Sequence, residues 1–182
     1  FVRNSIYESC KIIFFKGENK MPAPIVSFYD ENGANPITKW NIGEVDAGSD
    51  TEHLKFTIWN NKAGSSNVSN MKNVRITTVN ENGGESGGQG DVVVNQNWVK
   101  VIINNKNADA PVAIGGSAQQ AKVFAAGVDP DTDGYIISGE ANDGTKANSP
   151  KNYALAEAFV SVPANADEGQ KPFIIRVPYS YT

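Results

Sequence analysis

The eight residues His53–Asn60, HLKFTIWN, alternate with period two. On an extended chain Leu54, Phe56 and Ile58 fall on one side and Lys55, Thr57 and Trp59 on the other. A helix would scatter the same residues around its axis, so this stretch specifies a strand with one buried face. The pattern recurs along the chain. IVSFYD (25–30) ends at the turn residues ENGANP, and ITKWNIGEV (37–45) ends at DAGSD. MKNVRITTV (71–79) carries Val74 and Ile76 on one face and runs into the glycine-rich NENGGESGGQGD, a loop expected to form a flexible tip. DVVVNQNWVKVIIN (91–104) holds one or two strands, and AKVFAAG and GYIISG add weaker ones. Two strong strands, 154–162 and 172–181, close the chain around the polar turn PANADEG. Strands of this length and spacing, separated by turn residues, predict an all-β, antiparallel sandwich. SAQQAKVFAAG and NYALAEAF carry enough Ala, Gln, Lys and Glu to form short helices instead.

The 182 residues suit a single domain able to bury a core. We place that domain at 21–182, with long loop insertions and a loop-rich excursion over about 104–150. Residues 1–20 are expected to be an N-terminal arm or a translated leader: Lys16-Gly17-Glu18 can be encoded by a purine-rich ribosome-binding sequence, a short spacer ahead of Met21. Net charge is −4 without a basic cluster, which argues against nucleic acid as a partner. No apolar run approaches the length needed to span a bilayer, so no membrane partner is expected either. One cysteine, Cys10, excludes an internal disulfide. One histidine, His53, leaves little for a histidine-based metal or nucleophile site, and a strand-surface role suits it better. No catalytic residues are assigned.

One motif stands out chemically. DPDTDGYIISGE places Asp129, Asp131, Asp133, Gly134 and Glu140 in the spacing of a twelve-residue calcium loop. Calcium takes several hard oxygen ligands. The three aspartates, the carbonyl of Tyr135 and a bidentate Glu140 would supply them, with Gly134 at the bend and Ile136 as the apolar anchor. The alternative is a β-hairpin with DPDTDG at its tip and YIIS returning beside KVFA. The flanks lack the helices of an EF-hand and favour the hairpin; Ca2+ remains the one cofactor the sequence suggests.

Other features admit sharper and blander assignments. Trp40, Trp59 and Trp98, with Tyr29, Tyr153, Tyr179 and Tyr181, would suit a glycan-stacking platform if they shared an exposed face, but core and interface roles are the commoner use. Glu44, Asp46 and Glu157 would suit glycoside hydrolysis only at a fixed carboxylate separation, and a solvated face suits them better.

WNIGEVDAGSDTEHLKFTIWNN looks like an immunoglobulin-like strand pair. With MPAPIVSFYD, IGG, GEANDGT, NYA and VPANADEGQKPFIIRVPYSYT, it resembles small structural proteins of phages infecting Gram-positive bacteria, over most of 21–182. The resemblance implies an immunoglobulin-like sandwich located in the virion: a capsid decoration protein, or a tail or baseplate protein. Its partners would be coat or other virion subunits, with homo-oligomerisation expected. A carbohydrate-binding or host-attachment module in the tail is the alternative.

Overall fold

A computed structural model describes residues 5–7, 21–106 and 110–182. The expected leader or arm over 1–20 lies outside the described residues except for Ser5–Tyr7. In chain order the elements are β1 (Ser5–Tyr7), β2 (Val26–Asp30), β3 (Leu54–Asn60), β4 (Arg75–Asn80), a one-turn helix α1 (Asp91–Asn95), β5 (Val99–Ile103), β6 (Val112–Ile114), β7 (Ala121–Lys122), β8 (Tyr153–Val160) and β9 (Phe173–Arg176). One sheet has the order β2-β3-β8-β5-β6 and is antiparallel throughout. The other, β1-β9-β4-β7, is antiparallel except where β1 lies parallel to β9. Both sheets give their inner faces to one apolar core, so the chain is an all-β sandwich.

The register explains the packing. Phe56 and Ile58 on β3 stand opposite Ala156 and Ala154 on β8, and Val101 on β5 stands opposite Ala158. Small residues down the central strand leave room for Ile76, Phe173 and Ile175 from the facing sheet, all fully or nearly fully buried. These same alanines gave NYALAEAF its helical character. Their period of two, with Tyr153, Leu155, Glu157 and Phe159 between them, makes β8 a strand instead. SAQQAKVFAAG likewise forms no helix, and contributes the two-residue β7.

One expectation is corrected, and a second, of one or two strands over 91–104, is met by the single strand β5. Residues 37–45 form no ladder, because Ile37, Trp40 and Ile42, which pack on the core, are spaced by three and then two. That spacing fits an irregular segment plugging the end of a sandwich, and Trp40 does so edge-on to Phe173. The first part of DVVVNQNW is the helical turn α1, which buries Val93 and Val94.

β3 ends in a polar junction. Asn60 is fully buried. Its side-chain amide donates to the carbonyls of Ser69 (3.0 Å) and Ile137 (3.2 Å), while its Oδ1 accepts the N–H of Ile25 at 3.1 Å. Its main-chain N–H donates to Asn152 O at 2.9 Å. Asn61 follows at φ 60°, a left-handed conformation that asparagine tolerates better than most residues. Its amide donates to the carbonyls of Ser66 and Gly139, each at 2.9 Å. Asn152 then donates to Ser138 O and Glu140 O. A Cβ on Gly139 would lie 2.3 Å from Val68 O, so the chain passes here only as glycine. Two asparagines thus tie β2, β3, the 66–70 segment and the 137–152 excursion into one unit.

Asn60→Ala would strand the N–H of Ile25 and the carbonyl of Ser69, while the Ile137 carbonyl keeps the Met71 N–H, costing about 2 kcal/mol in all. For a chain of this size that lowers the thermal midpoint by roughly 4–8 °C. A drop below about 2 °C in a melting scan would remove the junction from the fold's essential contacts.

Candidate functional site

The three aspartates of DPDTDG form one tight exposed turn, closed on itself. Asp129 Oδ1 accepts the N–H of Asp131 at 3.1 Å, and Asp129 O accepts the N–H of Asp133 at 2.8 Å. Gly134 takes φ 76°, as the bend requires. The remaining residues of the motif lie elsewhere. Tyr135 O accepts the N–H of Val74 at 3.0 Å, and the Tyr135 ring sits between Arg75 and Lys122, 5.0 and 4.7 Å from its centroid. Glu140 is exposed beyond Ile137, which bridges Met71, and its carbonyl is held by Asn142 and Asn152. Among the described residues no three Asp, Glu, His or Cys side chains are grouped to hold a metal ion. The regular hairpin fails too: 135–137 returns beside 71–74, with one main-chain bond to Ala125.

The three tryptophans are buried at separate places. Trp40 is 7 % exposed in the core beside Phe173, and Trp98 is 5 % exposed, its indole N–H donating to Gln96. Trp59 is fully buried on the outer face of the five-stranded sheet, stacked on Tyr153 at 4.9 Å. Lys62 covers it, with its ammonium 5.1 Å from the Trp59 ring and 4.4 Å from that of Tyr29. Burial pushes the Tyr153 hydroxyl pKa up. On the same face His53 stacks on Phe159 and pairs with Glu157, whose other oxygen lies 3.8 Å from Lys55.

Several carboxylates brace loops. Asp91 accepts the amide of Asn80 and the N–H groups of Gly87 and Gly88, and Glu81 accepts those of Gln89 and Gly90. The glycine-rich stretch is therefore anchored at both ends. The Asn80 amide, aided by the Gly88 and Gly87 N–H groups, holds Asp91 below its ordinary pKa. Asp143 does the same for 143–149: Asn148, then Thr145 by main chain and side chain, bring it down to about 2.

The acids Glu44 and Asp46 behave differently. They lie with Asp167 and Glu168 on two loops flanking a cleft of about 660 Å³, and all four are exposed. Gly48 and Val162 pair the loops, N–H of Gly48 to Val162 O and N–H of Val162 to Ser49 O, each at 3.0 Å. The floor is the end of the core: Val93, Trp98, Val160 and Phe173. α1 reaches it because Gly90 passes against Pro172, where a Cβ would come within 1.7 Å of the carbonyl oxygen. Of the acids Glu44, Asp46 and Glu157, only the first two line the cleft, and Glu157 sits on the outer sheet face with His53 and Lys55. Asp167 and Glu168 lie in the polar turn PANADEG, and only the tertiary pairing of the two loops brings them beside Glu44 and Asp46. No protein-family model matches the chain, and no curated protein matches it.

The aspartate turn satisfies its own main chain, so neither calcium nor chelator is expected to move the thermal midpoint. A calcium-dependent rise in a melting scan, abolished by Asp131→Asn, would show that the turn reorganises around the ion.

Proposed function

We propose that the chain is a non-enzymatic structural protein of a phage particle, acting by protein–protein contacts and decorating or stabilising the capsid. The resemblance over 21–182 supplies the context. One observation carries the choice between protein contact and glycan binding: the three tryptophans are buried at separate sites, two of them in or against the core. Glycan platforms need exposed rings sharing a face, and these indoles are spent on packing. Exposed apolar residues at the other end of the sandwich fit the same proposal. Ile25 and Met21 are 57 % and 50 % exposed, close to where Ser69 donates its N–H to the Pro22 carbonyl and its hydroxyl to that of Met21. On a repeated lattice, many modest contacts of this kind would add to firm attachment.

Labelled antibody on purified particles tests the proposal. Uniform labelling of heads is the expected result; labelling confined to the tail tip would favour host attachment, and particles free of the protein would overturn the proposal.

A further inference from the structure

We propose that the cleft between residues 41–48 and 163–171 docks an extended segment of a partner protein that alternates basic and apolar side chains. The proposal rests on the protein-contact function above and names the surface and the partner chemistry for it.

The cleft is open along its length and floored by side chains of the core itself, Val93, Trp98, Val160 and Phe173, with Ile42 and Val162 on its sides. A volume of about 660 Å³ takes a few apolar side chains of an extended peptide. The floor is already dry, so the apolar surface a partner would remove from water, at roughly 25 cal/mol per Å², is that of the half-buried Ile42, Val45 and Val162.

Glu44 and Asp46 on one loop face Asp167 and Glu168 on the other, and no salt bridge engages any of them among the described residues. Asp91, Glu81, Asp143 and Glu157, by contrast, cap loops or pair with cations. Among the described residues Lys171 is the one cation lining the cleft, and its ammonium is turned to Glu168 O at 3.3 Å. An apolar floor rimmed by four carboxylates complements a segment with Lys or Arg flanking Leu, Val or Ile, and repels an acidic one. Guanidinium groups suit such a rim best, since they bind carboxylates through two parallel N–H donors.

The base of the cleft is preformed: main-chain bonds at Gly48, Thr51 and Val162 join the two loops to each other and to β8 where they leave it, and the floor belongs to the core. A preformed base asks less ordering of itself when a partner binds.

The test titrates the ¹⁵N-labelled full chain with a capped hexapeptide of alternating leucine and arginine. Two controls replace arginine by glutamate, or arginine by serine. Amide shifts are expected at Thr51, Val93, Val162 and Gly169 and at the Trp98 indole. Neutralising the rim with Glu44→Gln and Asp167→Asn should weaken binding about tenfold, the worth of two exposed ion pairs. Glu31→Gln, on the outer sheet face, should leave it unchanged. Both substituted positions are exposed, and the amide spectrum itself reports whether the variants fold. Absent or scattered shifts, or an equal response to the glutamate or serine peptide, would overturn the proposal. The outcome is separate from particle labelling: labelled heads with no peptide response would discard the cleft alone, and a peptide response without labelled particles would discard the phage context alone.

Discussion

Asn60 is the constraint on which the arrangement depends. It stands at the end of β3 with no exposure, where one side chain must satisfy three main-chain groups from three separate segments. Buried polar groups stabilise a fold only when every partner is present, and they penalise alternatives that leave one unpaired. An apolar residue of similar size would fill the space but leave the Ile25 N–H and the Ser69 carbonyl without partners. The junction therefore fixes where the 137–152 excursion attaches, together with the buried Ile137 and its bridge to Met71. The core pulls the two sheets together without direction, and the asparagines set which loop lies where.

The two sheets were legible from alternation because burial of one strand face leaves a period of two in the sequence. HLKFTIWN became β3 with Phe56 and Ile58 inward, and MKNVRITTV yielded β4 with Ile76 inward. Alternation misled at 37–45, where an irregular segment uses the same residue types to close the end of the sandwich, and at DVVVN, where anchoring by Asp91 and Gly90 favours one helical turn. It was silent about the outer sheet face. There Thr57 and Trp59 are as buried as Phe56, because Tyr153, Lys62 and neighbouring loops cover them.

The candidate sites were less legible, and for a different reason. The motif DPDTDGYIISGE presents a ligand pattern in one dimension, yet Ile137 is drawn to Met71 and Glu140 to the asparagine junction. Tertiary pairing thus pulls the twelve residues apart. The acidic cleft has the opposite character. Its carboxylates come from 44–46 and 167–168, over 120 residues apart in the chain, and no local pattern joins them. Several other acids cap N–H groups locally, which short spacings such as Asp143 to Thr145 do foreshadow.

In this account the asparagine junction makes the sheets and the excursion a single cooperative unit. Native-state hydrogen exchange reads that directly, amide by amide. The N–H groups of Asn60, Val68, Met71, Ile137 and Ser138 bond across the junction. They should exchange only through global unfolding, with the same free energy as the central β3 and β8 amides. Exchange of Val68, Ile137 and Ser138 at a clearly lower free energy, while β3 and β8 stay protected, would mean that the excursion opens independently and would contradict the central role given to Asn60.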